Sequence, residues 1–178
     1  MKLHKILVLL FILIPSIGTS QISNLCKVSD SKKAIKKLED AKDARKSKKD
    51  YKVIKELCEE AAEEDTSFAE PWLVLGDVAF QKKDYPTMKK AYARLIEICP
   101  DADAKVYYRM GTYLYDTKKY TDATNYLKSY LEFATTDESK NKEVEVLLFR
   151  AKMIANPVPF NPELVKGVSS ADPEYLAI

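Results

Sequence analysis

Three tyrosines recur along the chain at a nearly constant interval. Tyr51, Tyr85 and Tyr120 stand 34 and 35 residues apart, in the settings Asp50-Tyr51, Asp84-Tyr85 and Lys119-Tyr120. Gly76 and Gly111 are also 35 residues apart. An amphipathic run precedes each tyrosine and another follows it. A period of this length with two such runs is one helical hairpin per repeat, and hairpins of this kind bury their apolar faces only by stacking. A small residue at the Gly76 and Gly111 position lets the two helices of a pair approach closely.

The middle unit is the clearest. In AEPWLVLGDVAFQKKDYPTMKKAYARLIEICP, residues 69 to 100, Trp72, Leu75, Gly76, Tyr85, Ala91, Tyr92 and Pro100 occupy the places of a large residue, a leucine, a small residue, an aromatic, an apolar pair and a stop. This pattern resembles the tetratricopeptide repeat. The resemblance implies an all-α tetratricopeptide-repeat helical solenoid of three helix pairs, at residues 31–65, 66–100 and 101–134, plus a C-terminal capping helix over 135–155. The third unit fills the pattern with Tyr107, Met110, Gly111, Leu114, Tyr120, Ala123, Leu127 and Tyr130.

The first unit departs from it. Counted back from Tyr51, its small position holds Lys42, which a terminal repeat can tolerate. Ile35, Leu38, Ala41 and Ala44 are spaced for one apolar face, as are Val53, Ile54, Leu57, Cys58 and Ala61. Ser67 with Glu70, and Thr135 with Glu138, read as capping boxes. Pro71 fits a first helical turn and Pro100 a helix stop. Val144, Leu147, Leu148, Ala151 and Ile154 form the stripe of the last helix. Beyond Asn156-Pro157, NPVPFNPEL is extended, because proline at every second or third position blocks a helix. The residues to Ile178 read as the start of a further domain, cut short.

The N-terminus has the form of a secretory signal peptide over residues 1–20. Lys2 and Lys5 precede the apolar run Ile6 to Ile14, and Gly18 and Ser20 set cleavage before Gln21. Residues 21–30 are then a linker. Removing the leader leaves 27 basic and 27 acidic residues and takes away His4, the only histidine. A neutral chain lacks the concentrated positive charge of a nucleic-acid binder. Without histidine, a His-based triad or metal site is excluded; no glycine-rich phosphate loop occurs, and Glu59-Glu60 and Glu63-Glu64 read as solvated charge. The sequence therefore indicates no catalytic residue, no metal and no cofactor.

Cys26, Cys58 and Cys99 are an odd set. An exported chain permits disulfides, so a link from Cys26 to either of the others is open, as is a buried free thiol at Cys58. Ser23-Asn24-Leu25 before Cys26 does not match a lipobox. The basic stretch Lys32 to Lys52 faces the acidic stretch Glu56 to Asp65 in one hairpin, and mutual pairing along the flanks is the simpler reading. The other is a docking surface for an acidic partner at Lys32, Lys33 and Lys36.

In this fold the first helix of each pair lines a groove. The register places Lys36, Glu39, Asp43 and Lys46 there from the first unit. From the second come Glu70, Leu73, Asp77, Phe80 and Gln81, and from the third Lys105, Tyr108, Thr112, Tyr115 and Asp116. Phe80, Tyr108 and Tyr115, if exposed, would anchor an extended peptide. Some co-chaperone relatives hold a peptide's C-terminal carboxylate with Lys and Asn on the first unit, Asn on the second, and Lys and Arg on the third. Lys105 and Arg109 match the last pair. Glu39, Asp43 and Val74 do not match the rest, and two carboxylates would repel the ligand.

The order of signal peptide, SKKAIKKLEDAKDARKSKKDY, two further repeats, a last helix and NPVPFNPELVKGVSSADPEYLAI resembles a larger group. These are Gram-negative envelope proteins that join tetratricopeptide repeats to a WD-like β-propeller and an OmpA-like peptidoglycan-binding domain, some of them linked to type IX secretion and gliding. The resemblance implies a periplasmic, outer-membrane-associated scaffold whose partners are envelope proteins. It implies peptidoglycan contact only through a C-terminal domain that this sequence does not include. The alternatives are a free-standing periplasmic adaptor for polymer export or wall synthesis, and a subunit of an envelope enzyme.

Overall fold

The computed structural model describes residues 26–133 and 136–158. Among them are seven α-helices and no strand: α1 Lys32–Lys46, α2 Tyr51–Glu64, α3 Glu70–Gln81, α4 Tyr85–Ile98, α5 Ala104–Asp116, α6 Tyr120–Glu132 and α7 Glu138–Ala155. Helices pack as the consecutive pairs α1–α2, α3–α4 and α5–α6, and α7 lies against α6 and α5. The chain is an all-α, tetratricopeptide-like solenoid. The proposed leader at 1–20, residues 21–25 of the linker, Ala134, Thr135 and the tail from residue 159 lie outside the described residues.

Short acidic and hydroxyl side chains set most helix starts, because their oxygens accept the free N–H groups of a first turn. Ser31 accepts from Ala34 N at 3.2 Å, Asp84 from Thr87 N at 3.2 Å, and Asp103 from Lys105 N at 2.8 Å. Asp137 does the same for α7, accepting from Lys140 N at 2.9 Å, so the N-cap falls two residues past Thr135. The Ser67–Glu70 capping box does not form. Ala69 begins α3 without a side-chain cap, and Ser67 bonds backward to Asp65 through both its N (3.0 Å) and Oγ (2.7 Å). Burial of Phe68 and Ala69 holds the chain there, so the turn is closed by Asp65 instead.

The turn within each hairpin repeats one device. Lys48, Lys83 and Lys118 have φ of 54°, 59° and 61°. Just beyond them, Lys49 N, Asp84 N and Lys119 N donate to Ala44 O, Ala79 O and Leu114 O at 2.9, 2.9 and 2.8 Å. This is the left-handed helix termination that satisfies the last carbonyls. It also corrects the register of the first unit. Donors and acceptors here are spaced 35 residues throughout, whereas Tyr51 and Tyr85 are 34 apart. One extra residue, Asp50, sits between the first termination and α2. Counted along the first helices, the small residue of the first unit is therefore Ala41, fully buried like Gly76 and Gly111. Lys42 corresponds to Asp77, and the first unit keeps the pattern it was expected to break.

Buried side chains form three contiguous clusters along the stack. The first joins Leu38, Ala41, Ile54, Cys58 and Ala61 to Leu75 and Val78 of the next unit. The second centres on Leu73, Met88, Tyr92, Leu95 and Met110, and the third on Tyr107, Leu127, Tyr130, Val144 and Leu148. Trp72 packs against the first two clusters and so spans the boundary between them. Ile35 and Val53, expected on apolar faces, are 37% and 38% exposed; Ala34 takes the inward place on α1. Ile154 is likewise exposed, while Val144, Leu148 and Ala151 are buried.

Cys26 and Cys99 are joined by a disulfide with Cα atoms 5.6 Å apart, across 73 residues of sequence. The bond ties the lead-in of α1 to the end of α4, clasping the first two hairpins together. Ser29 strengthens the lead-in by donating to Asp65 Oδ2 at 2.6 Å. With its sulfur in the disulfide, Cys26 has none left for a lipid thioether. Cys58 is the free, buried thiol.

Candidate functional site

Each first helix, α1, α3 and α5, carries one row of the residues that the sequence register assigns to a groove. The row differs from the expected one. Leu73 is fully buried, and Asp77 is 3% exposed. An inward-facing carboxylate needs partners, and Asp77 has three. Its Oδ1 accepts from Tyr92 Oη at 2.8 Å and from Arg109 Nη1 at 2.7 Å; its Oδ2 accepts from Lys105 Nζ at 3.1 Å. Arg109 Nη1 also donates to Tyr92 Oη at 2.6 Å, and its guanidinium lies over the Phe80 ring at 4.3 Å. Lys105 makes a second ion pair with Asp103 at 3.3 Å. Burial pushes the Tyr92 hydroxyl well above its ordinary pKa; the Asp77 carboxylate adds to this and Arg109 opposes it.

This cluster spans a gap. No pair of Cα atoms between α3 and α5 lies within 8 Å. The long arms of Lys105 and Arg109 cross from the third unit to a short acid in the second. The two cations that match a carboxylate clamp are thus already occupied by a carboxylate of the chain itself. The rest of the clamp fails on register too, since the corrected first-unit positions are Leu38 and Lys42 rather than Glu39 and Asp43. Leu38 is buried in the core, and Lys42 pairs with Glu70 at 2.9 Å.

The aromatic candidates are held rather than free. Phe80 is half-buried under Arg109. Tyr108 donates to Glu143 of α7 at 2.9 Å, packs its ring against Tyr130 and carries Lys140 Nζ 4.5 Å above it. Burial, then the Glu143 bond, pushes its hydroxyl up to about 12. Tyr115 meets Tyr120 edge-on at 5.4 Å. Thr112 turns its Oγ1 back to Tyr108 O at 2.9 Å, within its own helix. Lys36, Glu39 and Asp43 are exposed; Glu39 pairs with Lys42 and Asp43 with Lys46, each within α1. Gln81 and Asp116 are exposed as well. At the α5–α7 end a depression of about 400 Å³ is lined by Ala104, Lys105, Tyr108, Tyr130, Thr136, Asp137 and Lys140.

The opposite charges of the first hairpin pair as the simpler reading had it. Lys33 meets Glu64 at 2.5 Å, and Lys37 bonds Glu60. Exposed pairs of this kind contribute little to stability, because solvent screens them. The remaining repeat residues serve packing. Tyr51 donates to Asp84 at 2.8 Å, linking α2 to the start of α4, and Tyr85 stacks on Tyr113 at 5.2 Å. Tyr107 donates to the carbonyl of Pro100 at 2.8 Å. The sequence held one sign of the Asp77 cluster that the groove reading passed over: Asp77 is the only charge in the apolar run Trp72 to Phe80.

No family model matches the chain, and no curated protein matches it. Among solved structures it is similar to the Yersinia enterocolitica type III secretion chaperone SycD in complex with a peptide of the translocator YopD. The two share 16% identity and a TM-score of 0.56, over 71% of this chain and 97% of that one. At that identity the likeness supports the helical-repeat fold.

Proposed function

We propose that this protein is a non-catalytic interaction scaffold of the cell envelope, which presents the face of α1, α3 and α5 to an extended segment of a partner protein. The observation that carries this reading is the Asp77–Lys105–Arg109–Tyr92 cluster. It locks the second and third units at fixed spacing, and so keeps Phe80, Tyr108 and Tyr115 in place before any partner arrives. A face organised in advance loses less freedom on binding. Support also comes from SycD, a protein of similar fold seen holding a peptide.

The envelope assignment rests on the signal-like leader and on the Cys26–Cys99 disulfide, since such bonds persist in exported proteins and are rare in reducing compartments. Within it, we favour the adaptor arm of an outer-membrane or peptidoglycan-associated assembly. A pull-down from envelope extract tests the surface. Wild type is compared with Tyr108→Ala/Tyr115→Ala and with the second-helix variant Lys89→Glu/Lys90→Glu, each checked for helix content. Loss of capture only in the first variant supports the face of α1, α3 and α5; loss only in the second moves the interaction to the opposite side. Hydrolytic turnover by the purified protein would overturn the scaffold reading.

A further inference from the structure

The segments between helices divide by charge. Within the hairpins, residues 47–50, 82–84 and 117–119 hold six lysines (Lys48, Lys49, Lys82, Lys83, Lys118 and Lys119) and two aspartates. Between hairpins and before α7, residues 65–69, 99–103 and 133–137 hold four aspartates and no basic residue. From Gln21 onward basic and acidic residues are equal in number, so charge is sorted by edge rather than in excess.

The three hairpin turns share one edge of the stack. The Tyr51–Asp84 hydrogen bond joins the first turn to the second, and the Tyr85–Tyr113 stack joins the second to the third. Lys118, Lys119, Asp122 and Ala155 line one depression, which brings the end of α7 to the same edge. All six lysines are exposed, and none forms an ion pair among the described residues. Asp50 and Asp84 are turned into caps, accepting from Lys52 N and Thr87 N. Asp43 pairs with Lys46 and Glu56 with Lys52, while Asp116 and Asp122 border the third turn. The backbone adds a second sign. Lys48, Lys83 and Lys118 have φ of 54°, 59° and 61°, a conformation that suits glycine or asparagine, yet each hairpin puts lysine there.

We propose that this edge docks on an anionic membrane surface, with the lysine row among lipid phosphates and the end of α7 in the headgroup layer. Lysine is a compact point charge that meets a plane of phosphates without a fixed pairing geometry. A row along an edge fits a plane and encloses no chain. Beside the row, Met153, Ile154 and Val158 are 48%, 49% and 75% exposed. Such side chains gain by leaving water at the headgroup boundary, and an acidic peptide or a nucleic-acid backbone offers them nothing. The aspartates of the opposite edge are repelled by the same surface, which orients the molecule on it.

Vesicle co-sedimentation tests the proposal. The chain from Gln21 onward keeps every described residue and omits the apolar run Ile6 to Ile14. It should bind phosphatidylcholine vesicles containing about 30% phosphatidylglycerol, less so in about 0.5 M salt, and should not bind phosphatidylcholine alone. Lys48→Gly/Lys83→Gly/Lys118→Gly removes the charge and suits the left-handed backbone. Its melting temperature should not fall, and its vesicle affinity should drop about tenfold or more. Met153→Ser/Ile154→Ser should also weaken binding, at unchanged helix content. Lys27→Gln/Lys32→Gln/Lys36→Gln removes three exposed charges near the other end of α1 and should bind as wild type does. The proposal is overturned by absence of binding, by equal binding to neutral vesicles, or by equal losses in the two lysine variants. Tighter capture by polyglutamate or duplex DNA than by the vesicles would overturn it as well.

Discussion

Tyr92 donates to Asp77 at 2.8 Å while its ring fills the space over Gly76. One side chain thus serves two purposes. It packs the second hairpin, and it orders the carboxylate that fastens the third unit to the second.

The close approach makes Gly76 and Gly111 sensitive to a single methyl. A Cβ on Gly76 would overlap Tyr92 Cε1 and Cδ1, and the ring cannot swing away because its hydroxyl is held by Asp77 and Arg109. A Cβ on Gly111 would stand 2.7 Å from Leu127 Cδ2 and 3.2 Å from Leu127 N. Overpacking costs about 1–3 kcal/mol, against a helix-propensity gain of up to about 1 kcal/mol. Gly76→Ala and Gly111→Ala should each lower stability in urea unfolding, by about 1–2 kcal/mol net. No change in midpoint would mean the helices have room to part.

Asp77→Asn keeps the shape of the side chain and removes its charge. Arg109 and Lys105 then lose their shared counter-ion, and breaking such a pair from one side costs about 3 kcal/mol or more when both groups are buried. Lys105 stays 30% exposed, which lowers the loss. A cycle with Arg109→Gln should be markedly less than additive, because both changes break one network. Additive losses would show that the two residues act separately.

The Cys26–Cys99 bond closes a long loop, 73 residues in sequence separation. Chain-entropy arguments give about 4 kcal/mol for a loop of that size. Cys26→Ser should lower the melting temperature, and reductant should do the same to the wild type but not to the variant. Cys58 behaves differently: burial pushes its thiol up to about 12. Iodoacetamide at pH 8 should leave it unmodified in the folded, oxidised protein and label it once the chain is unfolded in guanidinium. Rapid labelling of the folded protein would contradict the burial.

Acid should loosen the turns first. Hydrogen bonds from Ser29 and then Ser67 hold the Asp65 carboxyl below its ordinary value of 3.8. Thr87, and after it Tyr51, does the same for Asp84. A lowered folded pKa contributes stability that is present above about pH 4 and lost as pH falls through the folded value. Melting temperature should therefore fall as pH drops below about 4, and Asp84→Asn should flatten that limb. Tyr51 runs the opposite way. Burial, and then its bond to Asp84, pushes it up to about 12, so its contribution holds below pH 10 and fades between 10 and 12.

The hairpins were legible because helix pairing leaves a period in the sequence. Tyr51, Tyr85 and Tyr120 mark the second helices, and the glycines mark the close crossings. The register of the first unit was not legible from the tyrosines. Asp50 lengthens one turn by a residue, and only the backbone bonds to Ala44, Ala79 and Leu114 show that the first helices keep a period of 35. Tyr108 read as a free groove residue for a related reason: Glu143 and Lys140, which hold it, arrive from a helix outside the repeats.

By itself the sequence determined the number of hairpins, their helical character and the positions where small residues are needed, since all of these follow from local periodicity. Only the tertiary structure decided which cysteine Cys26 joins, that Ala41 is the small residue of the first unit, and that Asp77 faces inward to Lys105 and Arg109. The Ala41 register rests on backbone bonds at the hairpin turns, whereas the disulfide and the Asp77 pairing depend on distances between residues about 30 to 70 positions apart. Such distances are set by how the hairpins stack, and no local pattern records them.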